Sequence, residues 1–121
     1  MTPEPDAMFT RCTLDEGGQL LLHMRNSDLQ TQRVQQLQIG LPALRRAIAA
    51  AAAGTVAVEA MPVDGPSRSY SAWRPGVDGG APLRVVLLDE NGGSGERRRN
   101  TDPAARKLLN FLDTNCGAPL P

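Results

Sequence analysis

The chain has 121 residues, with 13 acidic and 13 basic side chains and a formal net charge of zero. That length suits one domain with one modest core, and the neutrality removes any general attraction to nucleic acid or to an anionic membrane. Aromatic residues make up only 3% of the chain, too few for a base-stacking surface, and no apolar run approaches the ~20 residues of a membrane-spanning helix.

Residues 1–7 are rich in proline and acid and read as a disordered lead. They lack the basic and apolar regions of a secretory leader, so the expectation is a mature form whose signal sequence has been removed. Phe9-Thr-Arg-Cys-Thr-Leu14 alternates, Asp15-Glu-Gly-Gly18 signals a turn, and Gln19-Leu-Leu-Leu-His-Met-Arg25 completes a first hairpin. Gln32–Ile39 commits to neither period; its glutamines and the nearby Thr31 favour a third strand. Gly40-Leu-Pro42 opens a helix with proline in its first turn. Leu41, Leu44, Ile48 and the alanines that follow form its apolar face, and Gly54 is placed to cap it.

Thr55–Met61 suits a short extended piece, and Pro62-Val-Asp-Gly-Pro66 a stiff turn. In Ser67–Trp73, Arg68, Tyr70 and Ala72 alternate with Ser69, Ser71 and Trp73. A second turn cluster at 75–80 precedes Leu83–Leu88, the strongest strand signal in the chain. Asn91-Gly-Gly then turns the chain, and 95–100 returns as an edge strand with Arg97 and Arg99 on one face and Arg98 on the other. Asp102-Pro103 pairs an N-cap residue with proline at the first helical position. Leu108, Leu109, Phe111 and Leu112 give the closing helix its apolar face, which ends at Asn115-Cys116-Gly117. The expected fold is therefore α+β: an antiparallel sheet of four to six strands with two helices on one face, in the order β-β-(β)-α-β-β-(β)-α. It occupies 8–117 as a single domain, with 118–121 as a flexible tail.

Cys12 and Cys116 stand at the two ends of that domain. Two buried thiols of a cytosolic protein are one reading. The favoured one is a disulfide tying the last element to the first, which implies an oxidising compartment, periplasmic or secreted.

Chemistry-bearing motifs are sparse. The glycines at 92–95 follow a strand as a phosphate loop does, but no lysine follows them and the helix starts several residues later, so a charged hairpin edge is favoured over a phosphate site, with a contact surface for an acidic protein partner between the two. His23 is the only histidine and sits in an alternating strand with no serine motif near it. One histidine and two distant cysteines match no metal-ligand spacing. The carboxylates Asp15, Glu16, Asp64, Asp78, Asp89 and Glu90 fall mostly at turns, where aspartate bonds to local backbone. A hydrolase built on two of them is the remaining enzyme reading. The expectation is no enzyme, no cofactor and no metal. The residues singled out for contact with a protein partner are Asp64, Arg68, Tyr70, Trp73, Arg97 and Arg99, because stiff loops carrying Tyr, Trp and Arg lose little entropy on binding. For Tyr70 the alternative is packing beneath the helices.

Gly17-Gly18 in the early turn, Asp64…Tyr70 opening a later hairpin, and the final helix at Leu108–Leu112 resemble, in order and spacing over most of the chain, the emfourin-type small inhibitors of thermolysin-like metalloproteases. The resemblance implies a compact α+β protein with a binding role. This chain departs from the pattern in having Cys12 and Cys116, and in reading Leu14-Asp-Glu-Gly-Gly18 where the family has Arg-Ser-Gly-Gly-Phe, so no inhibitory residue transfers. The function expected is that of a secreted or periplasmic binding protein. It would inhibit or neutralise a partner enzyme, a hydrolase or a toxin, through the loops 62–69, 75–80 and 91–95. An adaptor subunit of an envelope assembly, using Gln32–Gln38 for strand addition, is the alternative.

Overall fold

The computed structural model describes residues 8–26 and 29–116; the 1–7 lead and the 118–121 tail read from the sequence lie outside them. The chain forms β1 (Phe9–Asp15), β2 (Gln19–Asn26), β3 (Leu29–Gln36), α1 (Leu41–Ala52), β4 (Val56–Ala60), β5 (Ser67–Arg74), β6 (Leu83–Asn91), β7 (Glu96–Asn100) and α2 (Pro103–Cys116), with a 3-10 turn at Val77–Gly79. All seven strands join one sheet in the order β3-β2-β1-β5-β6-β7-β4. The fold is α+β with two helices, as the sequence indicates, and the strand count exceeds the expected range by one.

Two features of the sheet differ from the expectation. β1 and β5 run parallel, Phe9 beside Ser67 and Asp15 beside Trp73, while the other ladders are antiparallel. The parallel pair follows from the route of the chain. α1 carries it from the β3 edge to the β4 edge, and β5 then returns to the middle of the sheet beside β1. In addition, β7 is not an edge strand. β4 pairs outside it, with Val58 opposite Arg98 and Glu59 opposite Arg97.

The core lies between the sheet and the helices. Cys12, Leu14, Leu20, Leu22, Tyr70 and Ala72 point from alternate strand positions toward Leu44, Ile48, Ala105, Leu108 and Leu112, all buried. The β5–β6 register shifts between Tyr70 and Ser71, which face Leu88 and Val86. Leu87 is thereby left without a partner, and both Leu87 and Leu88 are buried. This bulge explains why the strongest strand reads as a continuous apolar run instead of an alternating one.

Helix ends follow their local chemistry. Pro42 sits in the first turn of α1. Ala53 is its C-cap with right-handed backbone, and the Gly54 amide donates to Ala51 O at 3.0 Å. Gly54 is therefore a close-approach position and not a left-handed cap: a Cβ there would stand 2.3 Å from Asn100 Oδ1. Asn100 Nδ2 in turn donates to Ala51 O and Val86 O, at 2.8 and 3.0 Å, stitching the end of α1 to β6. Asp102 Oδ1 accepts from the Ala104 amide at 2.8 Å, capping α2. At the other end of α2, Cys116 is disulfide-bonded to Cys12, with Cα atoms 6.3 Å apart.

Candidate functional site: a charge ladder and a paired-loop tip

Strand register divides the predicted contact residues between two ends of the sheet. Phe9, Ser67 and Asn91 share one end, and Asp15, Trp73 and Leu83 the other, roughly 23 Å away along β5 at ~3.3 Å per residue. Loops 61–66 and 91–95 occupy the first end, while 75–82 lies at the second. The three loops therefore do not share a surface, and residues 67–69 of the first belong to β5.

At the first end the two loops are bonded to each other. The Asp64 amide donates to Gly92 O at 2.8 Å and the Met61 amide to Gly95 O at 2.9 Å. Gly92 N–H donates to Ser67 Oγ at 3.0 Å, and the Ser67 amide donates to Met8 O at 2.9 Å. Contact is close enough that a Cβ on Gly92 would stand 1.7 Å from Gly65 O. Asp64 takes φ 67° to make the bend, a region that Asp tolerates better than most side chains. Val63, at the crest, is 59% exposed.

The glycine loop has no free amides for an anion. Gly93 and Ser94 both donate to Asn91 Oδ1, at 2.9 and 3.1 Å, and Gly95 donates to Asn91 O at 2.9 Å. With Gly92 bound to Ser67, the cradle that a phosphate would need is filled by the protein's own acceptors.

Beside this tip, on the helix side of the sheet, β5, β6, β7 and β4 contribute a ladder of opposite charges. Buried Glu90 accepts from Arg68 Nε at 2.6 Å and from Arg97 Nε at 2.7 Å. Glu59 stands 3.7 Å from Arg97 and 3.6 Å from Arg99. Arg68 also approaches Asp113 of α2 at 3.8 Å, and the Tyr70 hydroxyl donates to Asp113 Oδ1 at 3.1 Å. Burial pushes the Glu90 carboxyl upward, but its bonds to Arg68 and Arg97 together outweigh burial and hold it below its ordinary value. The Glu90 bond raises Arg68 against the lowering effect of burial. Burial and then Asp113 raise Tyr70.

Four of the six predicted contact residues thus lie in one ladder, but in different roles. Arg97 and Arg99 share a face, as their alternation indicates, yet both face Glu59 across from β4. The arginine run is accordingly not an open patch for an acidic partner: Arg98, on the other face, is bonded to Glu96 at 2.8 Å. Tyr70 is 2% exposed, so it belongs to the core and only its hydroxyl reaches the ladder. Trp73 stands at the far end, lining a groove of about 730 Å³ with Pro75, Ala81 and Pro82. Asp64 holds the tip.

The remaining polar residues have local work. Asp15 Oδ1 accepts from the Gly17 and Gln19 amides at 2.9 and 3.0 Å. Asp89 binds Ser69 Oγ and Arg84, at 2.8 and 2.7 Å. His23 sits edge-on to Phe9, ring centroids 5.1 Å apart, with Nε2 3.4 Å from Gln30 Oε1. Among the described residues no group of three His, Cys, Asp or Glu side chains is placed to hold a metal ion, and no helix is long and apolar enough to cross a membrane.

Sequence reasoning named the loops 62–69 and 91–95, which hold Val63, Ser67 and Gly92, without their mutual contact, took Glu90 only as one of the turn carboxylates, and missed Glu59. Glu90 carried a usable signal: a turn centred after Asn91 must set Asp89-Glu90 against Arg97-Arg98, and opposite charges on facing strands attract. Ser67 and Gly92 carried none, because their contact joins loops that the sequence keeps 25 residues apart. No protein-family model, no curated protein and no solved structure matches the chain.

Proposed function

We propose that the protein is a non-enzymatic binding protein of an oxidising compartment, periplasmic or extracellular, that docks its paired-loop tip onto a partner enzyme and blocks it. One observation carries this reading: loops 61–66 and 91–95 are hydrogen-bonded into one preorganised projection with Val63 exposed at its crest. A projection already held in one shape loses little conformational entropy on association, and an exposed apolar crest rimmed by Pro62, Asp64 and Pro66 fits a concave apolar cleft such as a hydrolase offers. The Cys12–Cys116 bridge supports the compartment, because disulfides persist where the surroundings oxidise thiols. The resemblance to the emfourin-type inhibitors points the same way and suggests metalloproteases as a first class of partner.

The test is affinity capture from the secreted and envelope fractions of the native host, with mass spectrometry, using the native chain and Val63→Asp side by side. Recovery of one hydrolase or toxin by the native chain, and its loss with the variant, is expected. Recovery of scaffold or secretion components alone, equally by both, would replace this reading with the adaptor one.

A further inference from the structure

β3 is an edge strand of eight residues whose outward side pairs with no strand among the described residues. The Leu37 amide donates to Gly18 O at 2.9 Å, continuing the register that pairs Gln36 with Gln19. Antiparallel partners alternate between bonded and non-bonded pairs. The odd-numbered residues of β3 are therefore bonded to β2, and the N–H and C=O groups of Gln30, Gln32 and Val34 point away from the sheet.

Edges that must stay unpaired carry a defence: short length, a bulge, a proline, or outward charge. β4, the other edge, has five residues, carries Glu59 and is followed closely by Pro62. β3 has none of these. Its register with β2 is unbroken and contains no proline. Its single charged side chain, Arg33, is drawn inward to donate to Asn115 O at the end of α2, at 2.6 Å. Val34 is 61% exposed and lies opposite Leu21, 43% exposed, on the face away from the helices.

We propose that β3 is a homodimerisation strand, through which two copies of this chain pair antiparallel across a two-fold axis into one continuous sheet. The sequence of β3 is its own complement. A two-fold centred on Gln32 sets Gln32 against itself, Gln30 against Val34 and Thr31 against Arg33, so no like charges meet. Each glutamine amide carries both donors and an acceptor, so the glutamines can bond to one another across the axis. Of the two neighbouring registers, the one centred on Arg33 would oppose Arg33 to Arg33 and is disfavoured. A partner strand rich in charge finds on this edge only Arg33, already drawn to Asn115 O, whereas a second copy brings the same, otherwise neutral side chains.

Pairing Gln30, Gln32 and Val34 adds about six backbone bonds. A single strand pair is a small interface, of the class below about 1,200 Å² that weak complexes bury, so the dimer is weak and reversible. Rotation about the sheet normal turns the two loop tips to opposite ends and leaves both free, so the pairing does not depend on the reading of the tip.

Sedimentation of the unreduced native chain from low micromolar to millimolar concentration tests this. A shift from monomer to dimer is expected. Gln32→Pro removes an outward N–H that the monomer does not use, and it should remain monomeric throughout with its thermal midpoint little changed. Val34→Lys, which leaves the backbone unrestricted, should weaken the dimer at least about tenfold by placing charge on the edge, and it decides the matter if the proline variant fails to fold. A native chain that stays monomeric at millimolar concentration, whether or not it captures an unrelated strand peptide, overturns the proposal. Dimers of undiminished strength in Val34→Lys also overturn it.

Discussion

Cys116, the last described residue of α2, is bonded to Cys12 in the middle of β1, closing a loop across a sequence separation of 104. Because the bond joins the last element to a central strand, nearly the whole fold lies inside the closed loop. The chain-entropy model gives such a loop about 4–5 kcal/mol. Cys12→Ser/Cys116→Ser should therefore lower the urea midpoint strongly while leaving the folded secondary structure intact at low denaturant. A midpoint within error of the native chain would show that the bridge does not constrain the unfolded state.

Glu90 ties the ladder to pH. Its folded-state pKa is depressed, so the stability it contributes is fully present above the ordinary carboxylate value and is lost as pH falls through the depressed one. Glu90→Gln should destabilise the protein at neutral pH by about 1–3 kcal/mol, the cost of leaving Arg68 and Arg97 without their charged acceptor. The gap should narrow as pH falls from about 7 to about 3, since the unfolded carboxylate takes up a proton in that range while the paired, depressed one in the folded state resists it and the amide does not titrate. Denaturant melts at the two pH values check this; an equal gap at both would exclude the pairing as its cause.

Asn100 holds two carbonyls that no other side chain serves, Ala51 O and Val86 O. Asn100→Ala should cost about 1–3 kcal/mol, because Val86 O loses its side-chain donor while Ala51 O keeps only the Gly54 amide. In hydrogen exchange the opening should concentrate at the end of α1, with the β1–β2 hairpin unaffected.

The tip depends on the absence of one carbon. Gly92→Ala places a Cβ 1.7 Å from Gly65 O, whereas a Cβ on Gly65 meets nothing within 4 Å. Gly92→Ala should loosen the loop pair at about 1–3 kcal/mol, read as faster exchange of the Asp64 and Met61 amides. Gly65→Ala should leave both amides protected.

What the sequence disclosed was what local chemistry encodes. Asp102-Pro103 announces its helix because cap and first-turn proline act within a few residues. Gly17-Gly18 announces its hairpin for the same reason, and Cys12 and Cys116 invite pairing because each closes one end of the domain. The parallel β1–β5 ladder was hidden, since nothing near Cys12 marks Tyr70 as its neighbour. The place of β4 was hidden as well. Five residues are too few for alternation to decide, and the arginines of β7 looked like a charged edge until Glu59 was set across from Arg97. Tyr70 and Arg68 were recognised as a pair of interest, but only the packing of α2 over β5 shows that one is core and the other part of a ladder.

The proposed role of the paired loops is to block an enzyme. Adding the native chain stepwise to the hydrolase that it captures, and following turnover of a small substrate, tests this most directly. Activity should fall linearly to an endpoint at one equivalent, and Val63→Asp, equally stable to heat, should require at least about tenfold more protein, the loss expected when a charge replaces a buried apolar anchor. Full activity at a large excess of the native chain, or equal inhibition by the variant, would contradict it.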